Sequence, residues 1–216
     1  MRTLAPPKLT YSPLAWLKLQ CLCQAGATEV GGFGLSAPGR PLYVEDVLLV
    51  KQTASAATVS FHDSAVADLF DRQADAGVPP SRFARIWIHT HPGSSPLPSG
   101  VDERTFARVF GPCDWAVMAI LSRTGRTYAR LAFGGGAVEI PVEVDWAAWP
   151  AASTAGLDAK LASWRREHAE LVQPFAERFE VFDAVGPVRP DPLFGEGIEP
   201  FDLREERDGR VFAGAA

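Results

Sequence analysis

The sequence predicts an α/β fold in which helices flank a sheet, followed by a C-terminal helix and an irregular tail. Segments of helical and of strand periodicity alternate along the first two thirds of the chain. The 216 residues are 47% hydrophobic and include 6 Trp and 13 Phe, which is enough to build a core. Because 18 Pro and 19 Gly are also present, we expect a loop-rich globular protein with one domain or one domain and an appendage.

The first predicted helix begins at Ser12 and Pro13, an N-cap residue followed by proline at the first helical position, and ends before Gly26. Apolar residues recur along it at helical spacing: Leu14, Leu17, Cys21 and Ala25. The following segments are rich in strand formers, and a Pro38-Gly39 turn joins the first two. We expect three strands here: 29–35, 42–50 and 57–62.

Helices and strands then alternate. A helix is predicted over 64–76, where alanines, a leucine and a phenylalanine supply apolar surface, and it stops at the glycine and prolines of 77–80. A further helix over 99–110 begins at a capping sequence. Strand formers dominate the segments between and after these helices, so we expect four more strands: 83–91, 115–121, 128–133 and 138–144.

The chain divides near residue 150 into a predicted core domain, 1–150, and a C-terminal extension, 151–216. A helix in the extension carries one apolar stripe, and Pro174 should end or kink it. The stripe consists of Leu157, Leu161, Trp164, His168, Leu171 and Phe175. Because this stripe would otherwise expose a large apolar patch, we predict that the extension docks on the core. Recognition of a partner and coverage of a site on the core are the alternatives.

Charge and cysteine content exclude several classes of protein. The net charge is −5, and residues 1–146 carry 13 acidic and 13 basic side chains, without a basic patch. We therefore expect no nucleic-acid partner. No apolar run reaches the length of a membrane span, and lysines and prolines interrupt the N-terminal apolar stretches, so neither membrane insertion nor a secretory signal is expected. Three cysteines without a CxxC pair favour the reducing cytoplasm.

The segment from His89 to Asp102 carries the strongest chemical signal. On a strand, alternate side chains share a face, so His89 and His91 should point the same way. A proline-rich loop then leads into the helix that begins at Ser99, which places Asp102 at the third helical position. Two imidazoles and one carboxylate suit a zinc ion, and three protein ligands leave a fourth position open, as in catalytic zinc sites.

Amide hydrolysis at such a site also requires a carboxylate that moves the proton and a donor that stabilises the oxyanion, and the candidates are Glu29 and Ser99. Each feature has a simpler interpretation. A histidine pair on a strand often serves packing, and Ser-x-x-Asp is also an ordinary helix cap. Capping and metal binding are compatible, because a cap would hold Ser99 and Asp102 in place.

The remaining histidines and the third cysteine are not predicted to enter the site. His62 ends a strand and His168 lies on the apolar helix stripe, so both are interpreted as structural or surface residues. Cys113 is interpreted as a small buried hydrophobic residue. A zinc deaminase would require a P-C-x-x-C pair together with an H-x-E sequence, and the sequence contains no P-C-x-x-C pair.

The spacing H-x-H-P-x(6)-S-x-x-D resembles the JAMM signature of MPN+ (JAB-domain) metallopeptidases, and 29–35 resembles that family's E-x-x-G-x-L strand. The resemblance covers about residues 12–144. It implies a curved, mixed, mostly antiparallel sheet flanked by helices, as in cytidine deaminases. It further implies one catalytic zinc ion held by His89, His91 and Asp102, acid/base catalysis by Glu29, and oxyanion stabilisation by Ser99.

The same resemblance implies a function. The short connection after Asp102 is similar to that of prokaryotic members rather than of linkage-selective deubiquitinases. We therefore expect a peptidase or isopeptidase that cleaves after the C-terminal glycine of a ubiquitin-like protein, with E1-like or E2-like enzymes encoded nearby. The first alternative is processing of a sulfur-carrier protein or a small amide at the same zinc site. The second is a non-catalytic MPN scaffold.

Overall fold

The computed structural model of the chain describes residues 6–149 and 156–175. The helices in these ranges are α1 (Pro13–Gln24), α2 (Asp63–Asp75), α3 (Pro80–Phe83), α4 (Gly100–Phe110) and α5 (Leu157–Leu171), with a 3₁₀ turn at Trp146–Ala148. The strands are β1 (Leu9–Tyr11), β2 (Gly31–Ala37), β3 (Arg40–Leu48), β4 (Gln52–Ala54), β5 (Val59–Phe61), β6 (Ile86–His91), β7 (Trp115–Ser122), β8 (Thr127–Phe133), β9 (Gly136–Glu139), β10 (Val142–Val144) and β11 (Val172–Pro174).

Eight strands form one curled sheet in the order β10-β1-β3-β2-β6-β7-β8-β9. Four of its seven neighbouring pairs are antiparallel, and the parallel pairs are β10–β1, β1–β3 and β6–β7. The predicted fold class, a mixed and mostly antiparallel curved sheet with flanking helices, is therefore confirmed. Strand β6, which carries the histidine pair, lies at the centre of this sheet.

Successive side chains of the central strands point to opposite faces of the sheet, so the core has two layers. Ile86 and Ile88 of β6 pack with α1 in one cluster, whereas Trp87 packs with α2, α3 and α4 in the other. Neighbouring residues of β7 divide in the same way between the two clusters. This is the period-two pattern of a sheet covered on both faces. Trp87 packs on Phe106 and Phe110 in the C-terminal half of α4, whereas His89 and His91, farther along β6, lie beside Asp102 in its first turn.

Several short elements were not predicted from the sequence. Strands β1 and β4 have only three residues each; β1 pairs with the distant strands β3 and β10, and β4 pairs with its neighbour β5 and with the distant strand β11. The predicted strand 138–144 is two strands, β9 and β10, separated by Ile140 and Pro141. Proline has no N–H to donate, which favours a break in strand pairing at that point. Pro80 begins the four-residue helix α3, where the sequence predicted only a break.

Helix α5 lies against α1 and ends at Leu171. Strand β11 follows directly and pairs in parallel with β4. The residues of its predicted apolar stripe are half-buried up to Leu171. The ammonium of Lys18 in α1 lies 3.0 Å from Glu167 of α5 and 3.5 Å from Asp46 of β3. Helix α5 and β11 belong to the same compact unit as the large sheet.

The domain boundary at residue 150 stays a prediction, as does the function of the C-terminal extension. The tail after residue 175 lies outside the described residues. Among the helices of the described residues, none combines the length and apolar character needed to cross a bilayer.

Candidate metal centre

The histidine pair lies where the sequence predicted it. In β6, His89 and His91 are two residues apart and share the face that carries Trp87, whereas Thr90 points to the α1 side. His89 is fully buried, and the side chain of His91 is 13% exposed. The Trp87 and His89 rings are 4.4 Å apart between centroids, so the indole forms one wall against His89. Sequence reasoning missed Trp87, although its i−2 position from His89 already placed it on the same face.

Asp102 is brought to the histidines by the cap of α4. The N-cap residue Ser99 has extended backbone geometry, and its N–H donates to Asp102 Oδ2 at 2.7 Å. The Asp102 N–H donates in return to Ser99 Oγ at 3.2 Å. This reciprocal capping box fixes the carboxylate at the start of the helix, where the helix dipole favours negative charge. Asp102 is only 4% exposed. Capping and placement of the candidate ligand are therefore combined in one residue pair.

The three side chains converge. Asp102 Oδ1 lies 3.4 Å from His89 Nε2, and Asp102 Oδ2 lies 3.7 Å from His91 Nε2. One ligand atom from each of the three residues can be chosen so that all lie within 4.8 Å of one another. Within residues 6–149 and 156–175, this is the one cluster of three or more His, Cys, Asp or Glu side chains with such spacing. The cluster could hold a metal ion.

The hydrogen bonding of the imidazoles fits metal binding. His91 Nδ1 lies 2.9 Å from the carbonyl oxygen of Ser95, so Nδ1–H donates there and the Nε2 lone pair faces the carboxylates. Among the described residues, no hydrogen-bond partner is found for His91 Nε2 or for either ring nitrogen of His89, all of them buried. Buried polar atoms are nearly always satisfied. A metal ion would satisfy the two nitrogens that face Asp102.

Glu29 lies beside the cluster. Its Oε1 is 3.8 Å from His91 Nε2, its Oε2 has no hydrogen-bond partner among the described residues, and the residue is 3% exposed. The structure begins β2 at Gly31, so Glu29 lies two residues before the strand rather than opening it as predicted. A carboxylate with a free buried oxygen next to a candidate metal site is placed to exchange a proton there.

Burial and proximity to one another shift the pKa values of Glu29, His89, His91 and Asp102. Burial raises the pKa of Glu29 to about 7, and Asp102 adds to this increase while His91 opposes it. Burial lowers the pKa of His89 below its ordinary value. Burial alone would raise the pKa of Asp102, but the nearby imidazoles of His89 and His91 and the Ser99 N–H hold it well below its usual range. Burial alone would lower the pKa of His91, but the Asp102 carboxylate, the Ser95 carbonyl oxygen and the Glu29 carboxylate raise it, so a proton competes with a metal ion at Nε2.

These shifts predict how the metal-free protein responds to pH. The pKa of Glu29 is about 7 in the folded protein, against 4.5 ordinarily. Its protonated form therefore contributes to the free energy of unfolding in full below about pH 4.5, and this contribution is lost as the pH rises through about 7. Metal-free Glu29→Gln, which cannot ionise, should therefore gain stability relative to the metal-free wild type between about pH 5 and pH 8. Thermal unfolding in a chelator measures this, and a pH-independent difference in Tm between the two proteins would contradict it.

Of the other residues considered from the sequence, His62, His168 and Cys113 lie apart from the cluster, and Ser99 adjoins it. His62 is the N-cap residue of α2, and its Nε2 lies 3.0 Å from Thr53 Oγ1. His168 is half-buried on α5, beside Gly26, and Cys113 is half-buried next to α4. Ser99 is exposed at the mouth of the site.

Comparisons with known proteins add little. No family model matches the chain, and no curated protein matches its sequence. Among solved structures, the chain is similar to the protein DSY2949 from Desulfitobacterium hafniense, known from a solution structure, with 17% identity and a TM-score of 0.49. The match covers 63% of this chain and 92% of that one. No conclusion about function is drawn from a similarity at this level.

Proposed function

We propose that this chain is a zinc-dependent peptidase or isopeptidase that hydrolyses the amide bond after the C-terminal glycine of a ubiquitin-like protein. The observation that carries the proposal is the placement of Glu29, a buried carboxylate with a free oxygen, beside the His89, His91 and Asp102 cluster. The substrate class rests on the resemblance of the H-x-H-P-x(6)-S-x-x-D spacing to MPN+ metallopeptidases.

Zinc is the metal that suits this donor set. Two imidazole nitrogens and one carboxylate oxygen are three protein ligands of the types found at catalytic zinc sites, which keep one position open. When bound, the ion supplies Lewis acidity that polarises a substrate carbonyl and lets water react near neutral pH. His89 and Asp102 are held rigidly by the central strand and the helix cap, so the protein contributes preformed ligand geometry.

Glu29 is proposed as the general base and then the general acid. It accepts a proton from the attacking water and returns one to the leaving amine, so that the carboxylate is regenerated in each cycle. In the metal-free protein its pKa is about 7, close to the value at which a group both accepts and donates protons efficiently near neutral pH. Its partner-free oxygen leaves room for that exchange.

Ser99 is proposed as the oxyanion donor. Its Oγ accepts the Asp102 N–H, which leaves the hydroxyl hydrogen free to donate to the oxygen of the scissile carbonyl. The exposed side chain stands at the N-terminus of α4, where the helix dipole also favours negative charge.

A groove next to Trp87 is a candidate position for a peptide substrate. It has a volume of about 440 Å³ and lies between β5 and α2 on one side and α4 on the other. Phe33 and Trp87 line it, and Trp87 also packs on His89, although His89, His91, Asp102 and Glu29 do not themselves line the groove. Asp63 and Arg108 provide one charge of each sign along it. The extended C-terminal tail of a substrate could lie here with its terminal glycine at the metal.

Cleavage of defined amides tests this function. We expect the zinc-loaded chain to release aminocoumarin from a short peptide ending in Gly-Gly, and to cleave ubiquitin fused through its terminal glycine to a peptide more efficiently. A chelator should abolish both reactions, and zinc should restore them. Release of the product from a sulfur-carrier fusion alone would favour the carrier alternative. No cleavage of any of these amides by a protein that holds one zinc would contradict a peptidase function.

Ser99→Ala separates catalysis from helix capping. Loss of a serine cap costs about 1 kcal/mol, whereas loss of an oxyanion donor lowers kcat by about 10²–10³-fold. Ser12→Ala is the matched control, because Ser12 caps α1 and its Oγ accepts the Ala15 N–H at 3.1 Å. We expect both variants to lose similar stability and only Ser99→Ala to lose turnover. Equal kcat values for the two variants would show that Ser99 acts as a cap alone.

A further inference from the structure

The backbone that precedes β2 is held by three successive hydrogen bonds. The Glu29 N–H donates to the carbonyl oxygen of Ser55 at 2.7 Å. The Val30 N–H donates to Thr90 Oγ1 at 3.0 Å, and the Gly31 N–H donates to Gln52 Oε1 at 2.7 Å. Two of the three acceptors are buried side chains rather than backbone. The segment that presents Glu29 therefore depends on specific residues and not only on strand pairing.

The side-chain amide of Gln52 forms hydrogen bonds with this segment. The residue is fully buried in β4, and its Nε2 donates to the carbonyl oxygens of Gly31 at 2.8 Å and Val50 at 2.9 Å. Together with the bond from the Gly31 N–H, the amide pairs with both backbone groups of Gly31, as a strand residue would. Gly31 is also the register partner of His89 in β6. The Gln52 amide thus holds the start of β2, the strand that positions Glu29 relative to His89.

Thr90 supports the same segment from the other side. It lies between the two candidate ligands in β6 but points away from them, and its hydroxyl accepts the Val30 N–H. Its own N–H donates to the Val30 carbonyl oxygen at 2.9 Å. Close packing restricts movement here, because a Cβ added to Gly31 would lie 2.7 Å from the ring of Phe61. The segment can therefore shift only if these bonds break.

We propose that Gln52 and Thr90 are positioning residues that hold the 29–31 backbone, and through it the Glu29 carboxylate, at a fixed distance from the metal cluster. The effect on turnover rests on the proposed function, whereas the effect on the backbone does not. Neither residue contacts the candidate metal position with its side chain, so both act through Glu29. Displacement of a catalytic group by about 1 Å can cost about 10²-fold in rate.

Gln52→Met is the principal test, because methionine has a similar length and cannot form these hydrogen bonds. Ser36→Ala is the matched control: Ser36 is fully buried at the other end of β2, and its Oγ donates to the Pro41 carbonyl oxygen at 2.8 Å. We expect Gln52→Met to bind one zinc and to keep KM, while kcat falls at least tenfold. Ser36→Ala should retain kcat within about twofold at a comparable loss of Tm.

Amide hydrogen exchange gives a readout that does not require activity. In Gln52→Met, the Gly31 and Val30 amides should exchange at least tenfold faster, relative to the amides of Phe33 and Leu35 farther along β2. Unchanged relative exchange, or a kcat loss equal to that of Ser36→Ala, would overturn the proposal. If the wild type cleaves no amide but local exchange and zinc content behave as expected, the proposed function fails and the positioning role stands.

A second pair of variants keeps the proposal testable if Gln52→Met does not fold. Thr90→Val preserves the shape of the side chain and removes the acceptor of the Val30 N–H, whereas Thr90→Ser retains the hydroxyl. We expect Thr90→Val to show faster Val30 exchange and lower kcat at full zinc content, and Thr90→Ser to restore both. Equal behaviour of the valine and serine variants would contradict the positioning role.

Discussion

Replacement of Glu29 by glutamine is expected to lower kcat by about 10²–10⁴-fold, the range that general acid–base catalysis supplies. Glutamine has nearly the same shape but cannot accept the proton of the attacking water. Because Glu29 is outside the three-residue cluster, the variant should still bind one zinc, and its Tm should not fall. Steady-state and single-turnover rates on the Gly-Gly substrates, with zinc content measured on the same samples, test this.

Glu139→Gln provides the control for the charge change, because Glu139 is exposed on β9. It should retain wild-type kcat and KM. Turnover of Glu29→Gln at the wild-type rate would exclude Glu29 as the acid/base group. Loss of zinc from Glu29→Gln would instead show that this carboxylate is a ligand, and would contradict the division of functions proposed above.

Substitution of His89 by leucine is expected to abolish both zinc binding and the stabilisation that zinc provides. The wild type should gain about 4 kcal/mol when free zinc exceeds its Kd a thousandfold, because the ion binds the folded protein and not the unfolded chain. His89 is fully buried, and neither ring nitrogen has a hydrogen-bond partner among the described residues. Without metal, the leucine variant should therefore be at least as stable as the wild type, since unpaired buried polar groups destabilise a fold.

His168→Leu is a matched control for this substitution. His168 is half-buried on α5, and its Nε2 likewise has no hydrogen-bond partner within the described ranges. Zinc content and zinc-dependent Tm should remain those of the wild type. Zinc titration followed by calorimetry distinguishes the two variants. A His89→Leu protein that still binds one zinc with wild-type affinity would contradict the assignment of the cluster.

Local rules predicted much of the geometry of the candidate metal cluster, because it is set by short-range structure. The i, i+2 spacing of His89 and His91 fixes a shared face on any strand, and the Ser99-x-x-Asp102 spacing fixes a reciprocal helix cap. Both features appear in the structure with the expected partners. Local rules alone do not predict the approach of Asp102 to the histidines, which depends on the path of the loop between β6 and α4 and was expected from the resemblance of the whole H-x-H-P-x(6)-S-x-x-D spacing.

The support of Glu29 could not be predicted, because it depends on contacts that are distant in sequence. Strand β4 has three residues and pairs with β5 and with β11, which lies about 120 residues farther along the chain. No local pattern marks Gln52 as buried, since glutamine is usually exposed. The same limit explains why the shorter strands were missed, whereas helices with a cap and an apolar face were predicted to within a few residues.

Anomalous diffraction at the zinc absorption edge, from crystals grown with zinc, would locate the metal ion itself. We expect one strong peak bonded to His89, His91 and Asp102, with Glu29 alongside but outside bonding distance. The peak should disappear below the edge and be absent from crystals of His89→Leu. No peak at this position in the wild type, or a peak bonded to Glu29 in place of one of the three residues, would contradict the account.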